Sequence, residues 1–251
     1  MSTTQNIIAH LIELRKRLLY SVVSVLLVFL CLFPWAADLY TLLAQPLLAK
    51  LPQGGQMIAT EVTTPFFVPV KVALMTAFVI TLPYILFQIW SFVAPGLYAH
   101  EKRWVVPLVV ASLLLFLSGM AFAYFAVFPM VFGFITASAP KGVAVMTDID
   151  KYLSFVISMF LAFGVTFQVP VAVVATVKMG FVSVAKLREI RRYVIVGAFI
   201  VGAILTPPDV VSQFMLAIPL WLLYEAGIWV AVWMTKVSNA DATKVEESRI
   251  R

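Results

Sequence analysis

Charge is what this sequence has least of. Only 12% of its 251 residues are Asp, Glu, Lys or Arg, and 63% are hydrophobic. A soluble domain carries about a quarter charged residues, so that class is excluded. Cysteine is nearly absent: Cys31 stands alone inside an apolar run, which rules out an intramolecular disulfide and leaves the thiol as packing. The two histidines lie ninety positions apart, and no His/Cys cluster with metal-ligand spacing exists. No glycine-rich nucleotide loop appears. No nucleophile assembles with a base, so an enzyme is not expected, and neither is a cofactor. No Asp, Glu, Lys or Arg lies clearly at mid-span and no internal repeat is visible, which weighs against a proton-coupled transporter. The net charge of +6 matters for its sidedness rather than for nucleic acid.

What the chain does have is apolar blocks near the ~20 residues needed to cross a bilayer. They run solidly apolar instead of alternating, which predicts helices and not a barrel. Six spans are expected, at about 18–35, 66–90, 104–128, 152–177, 193–205 and 210–233. They make one polytopic domain over 1–235, followed by a polar tail at 236–251. The first run has no small-residue cleavage site after Pro34-Trp35, unlike a cleaved signal peptide. With six spans, fourteen of the eighteen Lys and Arg residues fall on the side of both termini. The other side takes only Lys50, Lys71, Lys141 and Lys151. The positive-inside rule then places both termini in the cytoplasm.

Pro83, Pro170 and Pro219 fall inside spans two, four and six, where each removes a backbone hydrogen bond and should kink its helix. A short surface helix is expected over 39–48, and Lys71 lies shallow enough to snorkel outward. The fifth span has thirteen residues, about 20 Å of helix, roughly 10 Å short of a bilayer core. Thr206-Pro207-Pro208-Asp209 forces a tight turn, so the fifth and sixth spans form a short hairpin. Either it thins the bilayer or it is buried among other helices; thinning is the expectation.

The polar residues are few enough to read singly. In His10-Leu11-Ile12-Glu13-Leu14-Arg15-Lys16-Arg17, the leucines form an apolar stripe with Ile7. His10, Glu13 and Arg17 share one flank of it. Taken alone, Glu13 and Arg17 are an i,i+4 pair in a basic segment that orients the next helix. Gln168 sits in span four beside Pro170, so its amide either fills the backbone gap or makes a functional contact. Thr206, Gln213 and Asp209 form a polar patch at the hairpin, as a local tie or a docking point for a partner's helix. Glu225 is placed near the inner interface. Glu189 lies among four cations that neutralise it.

The eight residues 10–17 resemble the amino-terminal signature of the TatC family, the large membrane subunit of the twin-arginine protein translocase. Phe92-Val93-Ala94-Pro95-Gly96-Leu97-Tyr98 with His100-Glu101-Lys102-Arg103 is similar to its first cytoplasmic loop. Phe122-Ala123-Tyr124-Phe125, Asp148, Tyr152-Leu153 and Thr206-Pro207-Pro208-Asp209 fit further family positions. The likeness implies a receptor for signal peptides with consecutive arginines, on proteins exported folded across the bacterial cytoplasmic membrane. It implies that Glu13 and Glu101 contact the two arginines, with Arg17 and Phe92 beside them. A carboxylate accepts a guanidinium fork bidentately, which lysine cannot reproduce. The resemblance also implies small single-span partners, TatA-like and TatB-like, meeting Thr206 and Gln213, with several copies of this chain in the complex. The proton-motive force supplies the energy. Where family members usually carry a glutamate in span four, this chain has Gln168, which hydrogen-bonds but cannot ionise. The runner-up reading is a secondary transporter of a small solute.

Overall fold

The computed structural model describes residues 3–48, 57–93, 105–137, 147–205 and 210–250. Among them the chain is helical apart from one two-residue strand pair and short turns. Helix α1 (Thr3–Leu32) passes through a 3₁₀ turn at Phe33–Trp35, with Pro34 inside it, into α2 (Ala36–Leu48). That second helix covers the stretch 39–48, where a short helix is expected. Strand β1 (Met57–Ile58) precedes α3 (Thr64–Val93). Next come α4 (Val105–Phe122), a π-helical turn (Ala123–Val127) and α5 (Phe128–Ala137). Strand β2 (Thr147–Asp148) leads into α6 (Ile149–Thr166), then α7 (Val169–Lys178) and α8 (Val184–Glu189). Helices α9 (Arg191–Leu205) and α10 (Val210–Ile250) complete the chain, so the residues of the polar tail continue the last helix.

Five stretches of the described residues are long and apolar enough to cross a membrane: Ile8–Leu43, Thr64–Val93, Val106–Gly133, Ile149–Lys178 and Gln213–Thr235. Helix α9 is not among them. Its fifteen residues give about 22 Å against a hydrocarbon core of ~30 Å. Helix α9, over the stretch expected as the fifth span, is therefore short, as its sequence implies.

The prolines act differently from one another. Helix α3 continues through Pro83 and α10 through Pro219. Only Pro170 coincides with a break, at Phe167-Gln168 between α6 and α7. The π turn answers to a fourth proline that the sequence reading passed over. Pro129 has no N–H to return to Phe125, and one residue earlier the Phe128 N–H reaches back five residues to the Ala123 carbonyl. The helical run of span three consequently extends to Ala137, nine residues past its expected end.

Helix α1 packs on α3, α3 on α4 and α6, α4 on α6, and α10 on α7 and α9. The main core lies where the π turn and α5 meet α6. There Val127, Phe128, Val131, Val156, Met159 and Phe163 are almost fully buried. Phe128 is ringed by Tyr124, Phe132, Phe155 and Phe160. Glycine sets how close α4 and α6 come. A Cβ on Gly119 would fall 2.5 Å from the Phe163 carbonyl oxygen, and one on Gly164 would fall 2.5 Å from the Phe116 ring. Helix α1 leaves Leu11, Leu18, Leu19, Leu27 and Leu30 exposed, as a lipid-facing helix does in isolation.

Polar clasps join the elements near their ends. The strands pair in parallel, Met57 with Thr147 and Ile58 with Asp148. Asp148 caps α6 through Oδ1, accepting from the Asp150 and Lys151 amides. Its Oδ2 accepts from the Thr60 hydroxyl at 2.6 Å and the Thr60 amide at 3.1 Å. The Thr60 hydroxyl, then the Lys151 amide, lower its pKa to about 2. Lys71 pairs with Asp150 at 2.5 Å, so it is clasped by a neighbouring helix. After α7 the chain reverses at Gly180, whose φ of 72° only glycine adopts freely. The Gly180 amide returns to Val177 and the Phe181 amide to Thr176, closing the carbonyls of the last turn.

Candidate recognition site

The amino-terminal half of α1 lies against the carboxy-terminal end of α3. Two rungs tie them. His10 stacks on Phe92 with ring centroids 4.2 Å apart and planes at 18°. Arg17 donates from Nη1 to the Gln88 Oε1 at 3.1 Å, across seventy-one residues of sequence. Glu13 falls between the rungs, because His10, Glu13 and Arg17 share a face at i, i+3 and i+7. Arg17 donates to it from Nε at 2.9 Å and from Nη2 at 2.6 Å. Both bonds end on Oε1. Oε2 accepts no hydrogen bond among the described residues.

The electrostatics are those of a half-open pocket. The Glu13 side chain is 38% exposed and that of Arg17 25%, while Gln88 is buried at 8%. A pair of this exposure contributes about 0.3–0.5 kcal/mol to the helix, so solvent and competing ions can reach it. The arrangement presents a carboxylate that is oriented, already accepting a guanidinium, and accessible.

A second polar group lies where α6 breaks. The Gln168 amide donates to its own i−3 carbonyl, Val165, which leaves the Gly164 carbonyl without its usual donor. The Gln168 side chain supplies one: Nε2 lies 3.5 Å from Gly164 O and 3.0 Å from Ser112 O on α4. The hydroxyl of Ser112, fully buried, accepts from Trp90 Nε1 at 2.9 Å. Gln168 thus fills a backbone gap, as the simpler reading holds, and also ties α6 to α4 and, through Ser112, to α3. At the hairpin, Gln213 Nε2 donates to the Phe199 carbonyl at 3.0 Å, a tie between α10 and α9. In the short helix α8, Glu189 pairs with Lys186 at 3.0 Å. Glu225 pairs with Arg191 at 2.6 Å, and the Tyr224 hydroxyl donates to the Leu187 carbonyl at 2.8 Å.

Of the residues singled out from the sequence, the fold thus brings Glu13, Arg17 and Phe92 onto one seam. Gln168 and Gln213 stand apart from it, each bonded to a backbone carbonyl of a neighbouring helix. Glu101, Thr206 and Asp209 lie outside the described residues. Gln88, Ser112 and Trp90 were missed. The available signal for Gln88 was a lone amide near the end of an apolar span, one turn before Phe92.

Comparison with known proteins settles the family. The model of the family described as Sec-independent protein translocase protein (TatC) matches residues 9–219. The chain belongs to the TatC family. A TatC of Escherichia coli O6:H1 strain CFT073 is 57% identical over 226 residues, 90% of this chain and 88% of that protein. The TatC of Haemophilus influenzae strain KW20 is 49% identical over 96% of this chain and 94% of its own length. A solved structure titled as a twin arginine translocase receptor, TatC, superposes with a TM-score of 0.80 at 38% identity, covering 90% of this chain and 99% of that one. The TatC family supplies a component of the twin-arginine translocase, a protein-transport complex of the membrane. That membership sets aside the small-solute transporter.

Proposed function

We propose that this chain is the signal-peptide receptor and core subunit of its translocase, with Glu13 taking one arginine of a twin-arginine signal and Glu101 the other. The observation that carries this reading is that Glu13, its side chain 38% exposed, already accepts a guanidinium through two N–H groups on one oxygen, while the other accepts no hydrogen bond among the described residues. Two charge-assisted bonds of this kind distinguish arginine from lysine. Phe92, stacked on His10, supplies an aromatic floor beside the carboxylate.

The chain crosses the bacterial cytoplasmic membrane six times with both termini inside, which puts α1's amino-terminal turns where the cargo's signal arrives. Helix α9 makes the fifth crossing and thins the bilayer locally. Small TatA-like and TatB-like subunits dock at the α9–α10 hairpin, around Gln213, Thr206 and Asp209. Several copies of the chain assemble with them, and the proton-motive force drives transport of folded cargo.

The test is crosslinking of a photoreactive twin-arginine signal peptide to the chain in membranes. Charge-assisted hydrogen bonds contribute about 1.5–3 kcal/mol, so Glu13→Gln and Glu101→Gln should each weaken binding about ten- to a hundredfold. Unchanged binding by the double variant sinks the carboxylate assignment.

A further inference from the structure

Arg17 occupies the acceptor that the incoming arginine needs. Its guanidinium directs two donors at Glu13 Oε1 and a third at Gln88 Oε1, so among the described residues every hydrogen bond of its side chain lies on this seam. Gln88 comes from a different helix and is buried, which fixes its acceptor in place. A local i,i+4 pair would have needed only Glu13. The Gln88 bond adds a tertiary anchor, so a ligand that displaces Arg17 must replace three hydrogen bonds and not two.

We infer that Arg17 and Gln88 are specificity-determining residues: a resident guanidinium, anchored by Gln88, guards Glu13 and admits only a ligand that competes as a fork. An ammonium is a compact point charge and cannot match two aligned donors held on one oxygen. A second guanidinium can, taking Oε2 first and then the whole carboxylate as Arg17 leaves. The resident arginine therefore lowers the affinity of every cation but lowers it most for lysine. Selectivity arises by making the wrong ligand compete, in addition to favouring the right one. This inference rests on the receptor reading of Glu13.

The experiment uses the full chain in membranes with two synthetic signal peptides, one carrying consecutive arginines and one with lysines in their place. Arg17→Gln should tighten the arginine peptide several-fold and the lysine peptide by more, so that the ratio between them shrinks. Arg17→Lys, a weaker competitor, should fall between the parent and Arg17→Gln. Gln88→Leu, close in volume, should shift both peptides in the same direction by less, and should add nothing in the Arg17→Gln background. An unchanged ratio in Arg17→Gln, or weaker binding of both peptides, overturns the guard and makes Arg17 a support for Glu13. Glu13→Gln is run alongside. If it binds both peptides normally, the receptor reading fails; if it loses them while Arg17→Gln leaves the ratio intact, only the guard fails.

Discussion

Gly119→Ala and Gly164→Ala add the same methyl to opposite sides of one helix seam, yet they should behave differently. On Gly119 the new carbon would sit 2.5 Å from the Phe163 carbonyl oxygen and 2.9 Å from its carbon. Non-bonded carbons prefer about 3.5–4.0 Å, and this obstacle is backbone, so α4 must back away from α6 by about 1 Å. Overpacking of this kind costs about 1–3 kcal/mol, and the gain in helix propensity from Gly to Ala returns about 1 kcal/mol. The net loss is about 0–2 kcal/mol, or up to about 8 °C in Tm for a chain of this size. On Gly164 the obstacle is the ring of Phe116, 2.5 Å away and 3% exposed. A ring can be removed. Gly164→Ala with Phe116→Leu should be more stable than the two single effects sum to, whereas Phe116→Leu should not rescue Gly119→Ala. Gly197, with nothing within 4 Å, is the control, and its alanine variant should hold or raise the Tm. Thermal unfolding of purified protein in one detergent measures all six variants, single and double. Additive behaviour of Gly164→Ala and Phe116→Leu, or a Tm for Gly119→Ala raised as much as that of Gly197→Ala, would refute the close approach of α4 and α6.

Two further outcomes follow from the polar ties. Asp148 has a folded pKa of about 2 against an ordinary 3.8, so its stabilisation is complete above that ordinary value and is lost as pH falls toward 2. The Tm gap between the parent and Asp148→Asn should therefore narrow between pH 4 and pH 2; a gap that stays constant would mean that the Thr60 and cap bonds do not depend on ionisation. Gln168→Leu removes the donor that serves Gly164 O and Ser112 O, and interhelical hydrogen bonds in membranes contribute about 0.6–1.7 kcal/mol. A Tm drop of a few degrees with the fold retained is expected, and no drop would show that the broken helix satisfies itself.

How much of this could be read in the sequence depends on how far apart the interacting groups lie. The apolar blocks predicted helices because length and hydropathy are local properties, and the Glu13–Arg17 pair was legible because four residues make one turn. The break at Gln168 was legible too, since Pro170 is two residues away. The π turn was within reach through Pro129, but that proline resembled others that a helix absorbs without a fault, as Pro83 shows. Gln88 was out of reach. An amide in an apolar span announces that it needs a partner and says nothing of which helix provides one. The same holds for Lys71 with Asp150 and Arg191 with Glu225, which join helices 79 and 34 residues apart.

These long-range ties share a position, and it bears on how the molecule would respond to change. Arg17–Gln88 and Lys71–Asp150 clasp helices toward their ends, whereas the middle of the molecule is held by glycine seams and aromatic packing. The ends are partly exposed, so each clasp adds only a small increment of stability. The interior is close-packed, so one methyl there is felt throughout. Substitutions at Glu13, Arg17 or Gln88 should therefore alter what the chain binds while it stays folded. Substitutions at Gly119 or Gly164 should alter folding first. On the proposed receptor reading, that separation would let selectivity change without rebuilding the helices that carry it.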